Sequence, residues 1–185
     1  LLPGTWAPGG NVNAWAVFAR PGELLVDKLW DELTCPEMRP WPVNARGVAF
    51  EDFLRDSNEA EVATETALEE IKSVRSDLAD DDYLYLKSCF EDAILMIRAI
   101  RLTASAARVS AEYMEAGTEE NGQRLEESCA AMEACAEHIE EERGIQFRSA
   151  HHFFKTSWKG KTYKAYGVPI GLRSIAERYR REMQT

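Results

Sequence analysis

The chain has 185 residues, enough for one sizeable core or a small terminal piece plus a helical domain. With 45% apolar and 29% charged residues it reads as a globular protein, and no apolar run approaches the roughly 18 residues that span a bilayer. The net charge of −10 is uneven: residues 1–46 are near neutral at −1, residues 47–142 carry −17 and residues 143–185 carry +8. This pattern predicts a basic tail folded back on acidic helices, and it argues against a polyanion as partner.

Residues 1–46 hold most of the prolines and four of the five tryptophans, with a short helix expected at Val26–Leu33. Leu1–Thr5 reads as the end of a strand entering a Pro/Gly loop, as in a piece of a longer protein. Trp6, Asn11, Asn13 and Trp15 are the candidate ligand-contacting residues. An indole offers a flat apolar face to a sugar ring, and Asn supplies both donor and acceptor to hydroxyls.

From Asp56 to about Leu78 the apolar residues Val62, Leu68, Ile71, Val74 and Leu78 recur at helical spacing behind a capping-box-like Asp56 and Glu59. Asp80, Asp81 and Asp82 then favour a helix start, and residues 82–116 lack Gly and Pro, which predicts a helix of up to about 35 residues. Its expected inward stripe is Leu86, Phe90, Ile94, Ile97, Ala104, Ala107, Ala111 and Met114.

Gly117 is a natural stop and Thr118 a natural N-cap for a third helix from about Glu119 to Arg143, closed by Gly144. Asn121-Gly122 weakens its first turn, and Leu125, Cys129, Met132, Cys135 or Ala136, and Ile139 form its stripe. Residues 145–168 are aromatic, basic and expected to be irregular. Pro169–Met183 reads as a closing helix with Ile170, Leu172, Ile175, Ala176 and Tyr179 inward. The fold class is therefore mainly α: an antiparallel bundle of three long helices plus a C-terminal helix, in residues 47–185.

Catalytic chemistry is sparse. The carboxylates between residues 47 and 142 read as solvated faces. No Glu-x-x-His exists, because Cys135 stands three residues before His138, so no metal or cofactor is expected. His138 suits a helix C-terminus. His151-His152 is the only adjacent histidine pair and is not read as a metal centre. The four cysteines, at 35, 89, 129 and 135, form no C-x-x-C pair; they read as buried or half-buried thiols, in keeping with a cytoplasmic location. The stretch Phe153–Tyr166 interleaves Lys with aromatics, a composition that suits single-stranded nucleic acid, but packing of its rings on the helices is the favoured reading.

The run Asn11-Val-Asn-Ala-Trp-Ala-Val-Phe-Ala-Arg20, followed by Glu23-Leu-Leu-Val-Asp-Lys-Leu-Trp-Asp-Glu-Leu33, resembles the last barrel helix and exit segment of bacterial α-glucuronidases and related (β/α)8 glycosidases. Phe18-Ala-Arg20 stands at their Phe-Gly-Arg, with Ala19 in place of Gly, and Val26–Glu32 at the helix that follows. The resemblance implies a remnant of barrel end in residues 1–46, with Trp6 on the face where barrel enzymes place their sites. It also implies a C-terminal helical domain whose partners are an upstream catalytic domain, a second copy of itself and, through the parent enzyme, carbohydrate. The catalytic carboxylates of such enzymes lie on earlier strands, so none is assigned here.

Overall fold

The computed structural model describes residues 50–147, 156–158, 161–163 and 167–184. Trp6, Asn11, Asn13, Trp15, Cys35 and the expected strand and helix of residues 1–46 lie outside them. The described residues form a mainly α bundle, as the periodicities require. The helices are α1 (Phe50–Ser73), α2 (Asp80–Ala116), α3 (Glu119–Arg143) and α4 (Val168–Met183). A 3-10 turn at Arg75–Asp77 joins α1 to α2, and a two-stranded antiparallel hairpin, β1 (Thr156–Trp158) with β2 (Lys161–Tyr163), lies between α3 and α4. That hairpin corrects the irregular reading of residues 145–168 at positions 156–158 and 161–163.

α1 begins six residues before the expected start. Asp56 is therefore an interior residue whose carboxylate accepts from Arg55 at 3.0 Å, and it caps nothing. No breaker separates Phe50 from Asp56, so the apolar repeat carries the helix backwards through Leu54. At the other end Val74 leaves the helix with ψ 18°, and the final apolar residue, Leu78, belongs to the turn.

α2 spans 37 residues and ends on Gly117 in the left-handed region, φ 59°, where the Gly117 N–H reaches Tyr113 O at 2.7 Å. Gly satisfies this geometry without the Cβ penalty. Thr118 then caps α3 by accepting from the Asn121 N–H at 3.2 Å. The cap holds the first turn of α3 in place, so Asn121-Gly122 costs no residues at its start.

Each helix packs antiparallel on the next, α1 on α2, α2 on α3 and α3 on α4, and α4 also touches α2. The core joins Leu95, Ala99, Ala106 and Val109 of α2 to Leu125, Cys129, Met132, Cys135, Ala136 and Ile139 of α3 and to Val168, Leu172, Ile175, Ala176 and Tyr179 of α4. The stripe expected on α3 is buried as read, whereas the one on α2 needs correction. Of its residues only Ala104 is buried, and Met114 is 69% exposed. The stripe toward α3 and α4 runs instead through Leu95, Ala99, Thr103, Ala106 and Ser110, and Thr103 turns its hydroxyl onto Ala99 O at 3.0 Å. A helix in the middle of a row meets partners on two sides, so its apolar positions do not mark one face. Small side chains along this stripe let the three helix axes approach closely.

Candidate functional site

Three places in the bundle gather polar or reactive groups. The first joins α1 to α2. Glu61, 6% exposed, accepts on Oε1 from Arg98 Nε and Nη2 at 2.9 and 2.7 Å, and its Oε2 lies 2.6 Å from Arg101 Nη2. Arg101 also donates to Asn58 Oδ1 at 2.7 Å. One buried carboxylate held by two guanidiniums is an electrostatic clasp, because each charge compensates the desolvation of the other. Both arginines are spent on Glu61, so the group has no acid, base or nucleophile to offer.

The second is an open cleft of about 310 Å³ between α2 and α3, lined by Leu102, Ser105, Arg108, Val109, Arg124, Glu127, Ser128 and Ala131. Its arginines are not free to bind an anion. Arg124 Nη1 donates to Glu112 Oε2 at 2.8 Å and to Asn121 Oδ1 at 3.2 Å, and Arg108 Nε lies 3.6 Å from Glu112 Oε1. Ser128 donates to the Arg124 carbonyl at 2.9 Å, as a helix serine does when it lacks another partner. A hydroxyl without a base beside it is not a nucleophile.

The third is the thiol pair of α3. Burial pushes both Cys129 and Cys135 up to about 11, away from the thiolate that nucleophilic or metal chemistry needs. Cys129 Sγ instead donates weakly to Ala176 O at 3.6 Å across the α3–α4 contact. Cys89 departs from the buried reading: it is exposed on α2, next to Tyr85, whose phenol it holds above its ordinary value of 10 through a side-chain hydrogen bond.

The acidic face that the sequence assigned to water is partly taken up by α4. Arg180 Nη1 and Nη2 grip the two oxygens of Glu133 at 2.5 and 2.9 Å, and its Nε donates to Glu126 at 2.9 Å. Arg173 reaches Glu140 at 2.6 Å. At the far end Arg143 bridges Asp92 and Glu91 of α2 at 2.8 and 2.9 Å, fixing where α3 stops along α2. The helical part of the basic tail thus does fold back on the acidic helices. His138 is exposed one turn before the end of α3.

Among the described residues no group of three or more His, Cys, Asp or Glu is placed to hold a metal ion, and no helix is long and apolar enough to cross a membrane. The four sugar-contact candidates, Trp6, Asn11, Asn13 and Trp15, lie outside the described residues. Sequence reasoning did not find the Glu61 clasp. Its signal was a glutamate on the apolar side of α1 opposite two arginines three apart on α2. No family model, curated protein or solved structure matches the chain.

Proposed function

We propose that this chain is the C-terminal helical accessory part of a carbohydrate-active enzyme of the glycoside hydrolase kind, supporting a barrel and offering a surface for dimerisation. The observation that carries the reading is the run Asn11–Leu33, with its likeness to the barrel exit of α-glucuronidase-like enzymes, leading into a bundle whose described polar groups are bound up in structure. In this reading Trp6, Asn11, Asn13 and Trp15 touch sugar at the barrel rim, and catalysis belongs to an upstream domain. The test is the coding sequence upstream of Leu1. Alternating strand and helix patterns on the scale of a whole barrel, about 250 residues, are expected. A start codon directly before Leu1 overturns the reading. In the longer protein, Trp6→Ala is expected to raise KM for an oligosaccharide more than it lowers kcat.

A second reading, a self-contained scaffold or interaction module, is favoured by the continuous core shared by α2, α3 and α4. It expects two-state unfolding of the isolated chain, with the urea midpoint unchanged by a separately produced upstream fragment. A midpoint raised by that fragment supports the accessory-domain reading instead.

A further inference from the structure

The joints of this bundle are not built alike. α2 ends on Gly117 at φ 59° and α3 opens on the Thr118 cap, so a left-handed residue and a side-chain bond fix the α2–α3 joint. The joint from α1 to α2 has neither. Between Gly47 and Gly117 the sequence contains no Gly and no Pro. Val74, Leu78 and Ala79 all have negative φ, at −100°, −107° and −63°, and Ala79 opens α2 without a side-chain cap. The first-turn amides of α2 therefore lack the acceptor that a capping residue supplies. A short 3-10 stretch between two helices, made of residues that a helix accepts, is a hinge.

Arg75 holds this hinge shut. Its guanidinium donates to Asp80, reaches Leu78 O at 3.5 Å and lies 4.5 Å from the centre of the Tyr83 ring. These contacts exist only while the chain turns, because in a continuous helix Arg75 and Tyr83 stand about 12 Å apart along the axis. The packing of α1 is transferable as well. Among the described elements its substantial contact is with α2, and from residue 54 onward it buries only Glu61 and Leu68. The pairs Glu61–Arg98 and Asn58–Arg101 are both centred on the bond between Ala79 and Asp80. A two-fold axis at that point lets α1 of one copy lie on α2 of a second in the same register, with the α1–α2 contacts remade between copies.

We propose that α1 and α2 straighten at residues 74–79 into one helix of about 100 Å, and that two copies exchange α1 to form a domain-swapped dimer. The partner is a second copy of this chain because it carries the Arg98–Arg101 seat that α1 already fits, and the exchange needs no upstream barrel. Since the α1–α2 contacts are the same in monomer and dimer, the hinge decides between them. The dimer gives the first-turn amides of α2 the carbonyls of Ser76, Asp77 and Leu78 as helical acceptors. The monomer keeps the Arg75 contacts and holds one set of exposed carboxylates, Asp77, Asp80, Asp81 and Asp82, where the dimer gathers two sets about its axis. The dimer is therefore expected to grow with concentration and with ionic strength, which screens those carboxylates.

Sedimentation velocity on the full chain, refolded over a range of concentrations and salt, reads the balance. Arg75→Ala removes the contacts of the turn and is expected to raise the dimer association constant about tenfold. Ala79→Pro suits the turn, since Ala79 has φ −63° and follows an extended Leu78, but it breaks a continuous helix, so it is expected to lower the constant about a hundredfold or more. A dimer indifferent to Ala79→Pro is a side-by-side dimer and overturns the proposal. A chain that stays monomeric at every concentration, with and without Arg75→Ala, overturns it too. The exchange of α1 itself is read from mixed chains: Glu61→Arg in one, and Arg98→Glu with Arg101→Glu in the other, spoil the clasp within each copy, whereas the swapped pair restores opposite charges in both clasps. Refolded together, the two chains are expected to co-purify one to one through a tag on either, and their failure to do so sinks the exchange.

Discussion

At the scale of single residues, the bundle depends on a few atoms that admit no substitute. Gly167 is one. Its φ of −68° suits any residue, so the requirement is space: a methyl group would sit 2.1 Å from Ile145 O and 2.9 Å from Gln146 Cα, and backbone cannot swing aside as a side-chain tip can. Gly167→Ala is expected to cost about 1–3 kcal/mol in urea denaturation, the range of overpacking. Glu61 is another. Glu61→Gln leaves Arg98 and Arg101, both about two-thirds buried, facing a neutral amide, and is expected to lose about 1–3 kcal/mol. The control is Glu65→Gln: Glu65 is half exposed and 3.5 Å from Arg98, so the change stays within about 0.5 kcal/mol. Thiol reactivity separates the cysteines. At pH 8 Cys89 is expected to react with a disulfide reagent in the native state, while Cys129 and Cys135, at about 11 and buried, react only on unfolding.

At the scale of elements, the helices differ in how much of their burial could be read from spacing. α3 and α4 each present one apolar stripe, so Leu125, Met132 and Ile139, and Leu172, Ile175 and Tyr179, were legible directly. α2 was legible as a long helix with a glycine stop, because neither depends on what surrounds it. Its inward face was not, since a helix flanked on two sides carries two overlapping patterns, and the one through Phe90, Ile94 and Ile97 is the more apolar but the less buried. The true central stripe is made of alanines and hydroxyl residues that a hydropathy pattern passes over. Ala99, fully buried there, makes this testable: Ala99→Leu is expected to destabilise by about 1–3 kcal/mol, whereas Ala116→Leu, at the exposed end of the same helix, should be close to neutral. α1 buries only Glu61 and Leu68 between residues 54 and 73, which makes the clasp its main attachment to α2 and the first contact expected to open in amide exchange.

At the scale of the whole molecule, ion pairs across helices set the pH range of stability. Hydrogen bonds from Arg180 hold the Glu133 carboxyl below its ordinary value of 4.5, so this contribution is present above about that pH and is lost as pH falls further. Cys129 and Cys135 act in the opposite sense. Their folded values are raised from 9 to about 11, so the stabilisation is complete below 9 and is lost as the pH climbs toward 11. A plateau in urea midpoint between roughly pH 5 and 9 is the expected outcome. Arg180→Ala should flatten the acid limb and, because the Arg180 charge opposes the rise of the Cys129 thiol, leave the alkaline limb at least as steep. The charge split along the sequence announced the contact between α4 and the acidic helices. It could not announce which acids would be used, because Glu126 and Glu133 differ from Glu127 and Glu137 only by helical phase relative to α4.

The bond from Val168 to Phe147 also brings the two ends of the 148–166 span together. The bundle is thus closed at that point by its own backbone, whatever the length of chain between. Loop-closure entropy changes by only about 0.6 kcal/mol for each doubling of such a loop. The span is thus an exchangeable cassette: a peptide of another length or sequence spliced between Phe147 and Gly167 should leave the register of α3 against α4 intact, which the Arg180–Glu133 pair would report.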